Sequence, residues 1–506
     1  MPFSHLKGRD LMLLDVIYQK ASKKTGWKDY LNVIYRDNVK NKKEHMIIEE
    51  PTMNLFIVKP EYRTFRKPRH HLTTDMVDVK EVKCKDVLFE IAKVAGEGAV
   101  EYYKTHMGRE RKELFKYPYC MGGDIDVETY YRTLWAEQIG FPEKASPNKI
   151  FLDIEVDQID YEGNIARHGE CEVNAITVLD DKTNTCHTFL LDNGKNPQIK
   201  DFIQNQQAFQ ERLHREFDER NGVFDYKIYM FEDEVELITQ TFKLINTICR
   251  DFCLIWNMGY DIPYLIDRLY ALGVDAAKVM CDMHFPTETL YYYEDKKSFE
   301  WANKRDYFSI SSFTHYSDQC INYASLRKSQ GAVKKVNLDA IAQKEKVPGK
   351  VTYKSVATIR TLPYVDYILF VIYNIGDVLT QAMIERKVKD IDNLYVISTT
   401  NNIGYTDALK QTVTFRGLMY GYLKKRGMVL GHNANFNNTQ NGKYDENGDL
   451  VERDEDEDDS FEGAINGDPL LNLANGLTLY GEANKFLYGL TVDFDFSSGH
   501  TRTAQL

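Results

Sequence analysis

Three short stretches of this chain carry carboxylates at spacings suited to metal-dependent chemistry. In "KIFLDIEVDQ" (149–158) the apolar residues Ile150, Leu152, Ile154 and Val156 alternate as in a β-strand. Residues two apart on a strand share a face, so Asp153 and Glu155 point the same way. Two carboxylates on one face can ligate a hard cation such as Mg²⁺; a solvated strand edge is the plainer alternative. In "RDFCLIWNMGYDIPYLIDRLYALG" (250–273) "FCLIW" reads as a buried strand and "DIPYLIDRLYAL" as a helix, with Pro263 in its first turn and Gly273 closing it. Asn257 and Asp261 then fall at a strand-to-helix junction, where site residues of α/β folds collect. Asp261 as a simple helix N-cap is the alternative there. The third stretch, "PYVDYILFVIYNIGDVLTQAMIERK" (363–387), has helical length and a long apolar stripe. Tyr373 and Asp377, four apart, share one helix face; alone, they would read as a packed tyrosine and an exposed acid.

Taken together and in this order, Asp-x-Glu on a strand, Asn-x-x-Tyr-Asp and Tyr-x-x-x-Asp resemble the three exonuclease motifs of family B DNA polymerases. The similarity continues around them. "VNLDAIAQKEKVPGKVTY" (336–353) resembles the segment before the third motif, and "FEGAINGDP" (461–469) the stretch leading into the polymerase palm. The terminal "VDFDFSS" is similar to the start of the palm's first metal motif. The resemblance spans roughly residues 50 to 498 and is closest to the polymerases of T-even-like tailed phages.

The resemblance implies 3′–5′ proofreading hydrolysis of DNA. Asp153, Glu155, Asp261 and Asp377 would bind two Mg²⁺ or Mn²⁺ ions, a pair that stabilises attacking and leaving oxygens of an in-line displacement. Tyr373 would orient the attacking water, and Asn257 would hold the substrate or a water. Deoxynucleoside 5′-monophosphates would leave stepwise from the 3′ end. A duplex end must first melt by a few nucleotides, so selectivity for mismatches follows from melting cost. Freed bases can stack on aromatic side chains for ~1–3 kcal/mol each. The expected partners are primer–template DNA, single-stranded 3′ ends, a second polypeptide carrying the rest of palm, fingers and thumb, and, as a candidate, a sliding clamp.

These residues need a scaffold. The resemblance implies a ribonuclease H-like α/β exonuclease domain over 146–390, a mixed sheet flanked by helices. The strand–helix alternation agrees: "IFLDIEV", "NAITVLD", "CHTFLLD", a helix around 232–249, then "FCLIW" and its helix. Residues 1–145 are expected to form a β-rich N-terminal domain, with chain returning to it over 391–480. The last segment, 481–506, is expected to begin a polymerase palm. "LYYYEDKKSFEWANKRDYFSI" (290–310) sets aromatic strands around a charged centre and predicts a β-hairpin near the nuclease cleft.

Composition bounds the rest. Length alone, 506 residues, points to more than one domain. The sequence shows no signal-peptide layout, and no apolar run is expected to approach the roughly 18 residues of a membrane span. The location expected is cytoplasmic, the host cytoplasm for a phage-encoded chain. Eight scattered cysteines without a CxxC pair suggest reduced thiols rather than structural zinc. A net charge of −12 argues against a nucleic-acid partner only superficially: "ERDEDEDD" (452–459) holds seven acids and one base, half the total. It lies in the polar stretch 431–460, expected to be a solvated, disordered insertion. Conversely, "KPEYRTFRKPRHH" (59–71) carries five Lys/Arg against one Glu, with Tyr62 and Phe65 interleaved. It could meet phosphates and bases, or be a surface loop.

Asp495, in the terminal strand, would bind polymerase metals only with a second aspartate from a later palm motif. The expectation is that this chain alone does not polymerise DNA and that a separately encoded remainder is needed. A nuclease like DnaQ acting on RNA or short oligonucleotides, and a non-catalytic DNA-binding subunit, are the competing readings.

Overall fold

The computed structural model describes residues 2–63, 72–142, 146–328, 336–353 and 358–431. The acidic stretch and palm-like segments of the sequence, with Asp493 and Asp495, therefore lie outside the described residues, as do 64–71 of the basic stretch. The chain divides into two units: Pro142–Val396, and the chain up to Phe141 together with that from Ile397 onward.

In the unit that holds the N-terminus, β1 (Leu11–Gln19), β2 (Tyr30–Asp37) and β3 (Lys42–Glu49) form an antiparallel sheet in sequence order. A second sheet has β4 (Thr52–Val58) between β5 (Val77–Lys83) and the short β6 (Cys120–Met121). Their apolar faces close over the helix Val127–Gln138. Trp135 of that helix is fully buried, its ring 5.2 Å from Phe3 and 5.5 Å from Tyr35. Tyr420, from the chain after Ile397, joins the same core.

The Pro142–Val396 unit is built on one mixed sheet. Its strands are β7 (Lys149–Val156), β8 (Val173–Asp180), β9 (Thr185–Leu191), β10 (Asp225–Phe231), β11 (Phe252–Ile255) and, after a separate β12 (Leu290–Tyr293) and β13 (Tyr307–Ile310) pair, β14 (His315–Asp318). The order across the sheet is β10-β9-β8-β7-β11-β14. β7, β8 and β9 run antiparallel, and β11 and β14 continue parallel to β7. Three antiparallel strands extended on the first by parallel ones, with helices on the sheet, make this a ribonuclease H-like α/β domain. The strands β10 and β14 were not marked by the sequence pattern: β10 is an edge strand and β14 only four residues long.

Strand β7 is covered on both faces. Ile150, Leu152 and Ile154 pack in a core with the helices Glu234–Ile248 and Met258–Ala271. The opposite face, which carries Asp153, meets the 22-residue helix Tyr367–Val388. That helix corrects one sequence expectation: by length and composition alone it could cross a membrane. Its most apolar window is 78% buried inside the unit, and Asn374, Asp377, Gln381 and Glu385 are buried along it, as in a core helix of a folded domain.

The hairpin expected over 290–310 forms. β12 and β13 pair antiparallel from Leu290↔Ile310 to Tyr293↔Tyr307, and the charged residues lie in the connection. It touches the start of the Met258–Ala271 helix at Gly259, where a Cβ would come 2.9 Å from the Tyr292 hydroxyl. Glycine at 259 permits that approach, two residues from Asp261.

A candidate metal centre at the end of the central strands

The four-residue β11 pairs with β7 only as far as Ile255↔Leu152. Beyond Leu152 no strand among the described residues pairs with the carboxyl end of β7 on that side. The chain leaving β11 turns there through Asn257, with φ +63°, a left-handed conformation that asparagine adopts more readily than most residues. The helix then starts at Met258, three residues earlier than the sequence pattern indicates. Asp261 accordingly sits in its first turn and not at the N-cap, which is Asn257. Pro263 lies in the second turn. Buried Asp261 Oδ1 accepts the Ile154 N–H at 3.3 Å, occupying the place a longer β11 would have filled.

Asp153, Glu155 and Asp377 come together: a ligand oxygen from each lies within 4.8 Å of the others. The first two sit on adjacent same-face positions of β7, the third on the Tyr367–Val388 helix that crosses it. Asp261 stands beside this trio with its own hydrogen bond, and its charge acts on Asp153 and Glu155. Asn257 is exposed at the helix start, with no side-chain cap bond. Tyr373, one turn before Asp377, is half-buried.

Packing acids this closely is costly. Burial first, then the neighbouring charges of Asp377, Asp261 and Glu155, pushes Asp153 well above the usual carboxylate range. Burial and Asp377 push Glu155 up to about 8. Burial also raises Asp261 to about 8, against the opposing pull of the backbone N–H groups it accepts from. Asp377 is raised by burial too, partly offset by Lys350. Four acids raised together resist simultaneous ionisation unless positive charge enters among them.

One such charge is built in, on a residue that no motif in the sequence marks. Lys350 Nζ donates to Asp377 Oδ2 at 2.5 Å and to the Tyr373 hydroxyl oxygen at 3.0 Å. Burial alone would lower its pKa, but Asp377, Tyr373 and Asp153 outweigh that and hold the ammonium charged. The approach depends on Gly376: a Cβ there would meet Val351 Cγ2 at 2.8 Å. Lys350 lies in an irregular segment 27 residues before Asp377, where neither periodicity nor spacing could have singled it out.

The donor set suits a hard divalent cation: carboxylate oxygens from three residues and no sulfur or imidazole. Asp377 Oδ1 is buried without a hydrogen-bond partner among the described residues, an acceptor that a cation would satisfy.

Residues 125–312 match the family described as DNA polymerase family B, exonuclease domain. The matched stretch takes in Asp153, Glu155, Asn257, Asp261 and the hairpin; Lys350, Tyr373 and Asp377 follow it in the chain. No curated protein matches the chain.

Proposed function

We propose that the Pro142–Val396 unit, with its family B polymerase exonuclease domain, is a two-metal 3′–5′ exonuclease acting on DNA. The observation that carries this reading is the convergence of Asp153, Glu155 and Asp377 within 4.8 Å at the carboxyl end of the central strand. Asp261, next to them on the first turn of its helix, makes the fourth carboxylate for a second ion. Divalent ions bound there supply charge neutralisation for the phosphodiester and an activated water.

The protein's own groups have distinct tasks. Asp153 and Glu155 are fixed by the strand, Asp261 by its bond to Ile154, and Asp377 by Lys350. Because Lys350 donates to the Tyr373 oxygen, the phenolic hydrogen remains available to orient a water at the scissile phosphate. Burial and the nearby Asp377 charge raise the Tyr373 pKa, so the phenol stays neutral and keeps that hydrogen. Asn257, exposed at the start of the helix that carries Asp261, would contact the strand being digested. Proofreading of primer ends is the biological use this reading favours over RNA turnover, because the family match is to a DNA polymerase domain.

The experiment is digestion of a single-stranded DNA labelled at its 3′ end, with Mg²⁺ or with EDTA, and with an RNA of the same sequence alongside. Metal-dependent release of labelled 5′-monophosphate from DNA is expected. Digestion in EDTA, or equal rates on RNA, would overturn the reading.

A further inference from the structure

We infer that Asn374 is a positioning residue for the metal cluster, holding Asp153 through a buried relay that crosses three strands. The inference rests on reading Asp153 as a metal ligand.

Asp153, Thr177 and Thr188 face one another across β7, β8 and β9, for the register pairs Asp153 with Thr177 and Thr177 with Thr188. Asn374, on the Tyr367–Val388 helix, lies over this row. Its Nδ2 donates to Asp153 Oδ2 at 3.0 Å, and its Oδ1 lies 2.5 Å from Thr177 Oγ1. Thr177 and Thr188 hydroxyls are 3.0 Å apart. Asn374, Thr177 and Thr188 are all fully buried. Polar groups are costly to bury unless bonded, and here each bond leads to the next.

The chemistry of the groups fixes the direction of the relay. The amide oxygen only accepts, so the Thr177 hydroxyl must donate to it. A hydroxyl has one hydrogen, so Thr188 must donate to Thr177. The amide nitrogen is thereby turned to Asp153. The reverse orientation would set the amide oxygen against a carboxylate oxygen. The relay thus specifies one amide orientation and engages one lone pair of Asp153 Oδ2, which narrows the directions left for a cation. Outer partners of this kind commonly change metal affinity or activity by about 10–100-fold when removed.

The test uses the full chain and Mn²⁺ alone, with binding followed by calorimetry and by the electron paramagnetic resonance of free Mn²⁺. Asn374→Leu, which keeps the branching at Cγ and the number of heavy atoms but removes both polar groups, is expected to weaken Mn²⁺ binding by roughly tenfold or more. Thr177→Val, which removes only the hydroxyl, should weaken it in the same direction, and Thr177→Ser should restore it. A merely structural role would lower the melting temperature in EDTA and leave Mn²⁺ affinity unchanged. Wild-type affinity in a folded Asn374→Leu protein overturns the inference. If that variant does not fold, equal affinities of the Thr177→Val and Thr177→Ser proteins overturn it. The underlying metal reading fails separately: in that case Asp153→Ala binds Mn²⁺ as the unaltered protein does.

Discussion

Lys350 Nζ lies 2.5 Å from Asp377 Oδ2, so the acidic cluster carries its own counter-charge. The pairing predicts two opposite effects of Lys350→Met. In EDTA the buried Asp377 loses its cation, and stability should fall by on the order of 2 kcal/mol, below the range for fully buried pairs because the lysine side chain is 30% exposed. Mn²⁺ should then raise the melting temperature of the variant more than that of the unaltered protein, since the ion supplies the missing charge. Equal metal-induced shifts in the two proteins would refute this account of Lys350.

Replacing Asp153 and Glu155 together by alanine should abolish digestion of single-stranded DNA without unfolding the chain. Both acids sit on the strand face away from the Ile150–Leu152–Ile154 core, and both are raised by burial and by like charge. Relief of that repulsion should leave the melting temperature in EDTA equal or higher. A double variant digesting DNA at the unaltered rate ends the assignment of these residues.

Tyr373→Phe separates the hydroxyl from the ring. The ring packs edge-on against Tyr353 at 5.7 Å, a contact phenylalanine keeps. The hydroxyl's bond from Lys350 disappears, but Lys350 retains Asp377. Turnover should therefore fall by about 100-fold, the lower end of what positioned proton-transfer groups contribute. The Mg²⁺ concentration for half-maximal rate should stay nearly constant. Unchanged turnover with a large rise in that concentration would reverse the assignment and make Tyr373 a metal-site residue.

What could be read in advance follows from the range of the interactions. The alternation of β7 is local, so the shared face of Asp153 and Glu155 was legible, as were the β12–β13 hairpin and Gly273 at its helix end. The Met258 helix start was not. A left-handed Asn257 with Gly259 two residues on resembles loop chemistry, and only the truncated β11 explains why the helix begins there. Lys350 and Asn374 act through contacts with residues 27 and 221 positions away, which no single-strand or single-helix period encodes. The apolar Tyr367–Val388 helix is legible as buried only when the sheet beneath it is known.

Deleting the hairpin connection between Tyr293 and Tyr307, with a short glycine-containing turn in its place, should slow digestion from duplex ends and spare single strands. The hairpin meets the Asp261 helix at Gly259, and Tyr291 and Tyr293 expose their rings on it. Exposed rings can stack on freed bases. A several-fold loss confined to the duplex substrate is expected from parallel time courses on the two DNAs. Equal losses on both would remove the hairpin from strand separation.

Glu385 offers a pH prediction independent of the metal centre. It is 1% exposed, accepts the Ile391 N–H at 3.0 Å, and has Lys149 Nζ at 3.4 Å. Burial, only partly offset by Lys149, pushes its carboxyl from 4.5 up to about 7. Between those values the folded protein holds a proton that the unfolded chain has released. Stability therefore falls as pH rises through that window, and the full penalty is present above about 7. A shift of this size corresponds to on the order of 3 kcal/mol. Glu385→Gln keeps an acceptor for Ile391 and removes the ionisation, while Lys149 retains Asp392 at 3.1 Å. Thermal melts in EDTA should find the two proteins alike near pH 4.5 and the glutamine variant more stable near pH 8. A stability difference that does not change with pH would show that Glu385 ionises at its ordinary value in the folded chain.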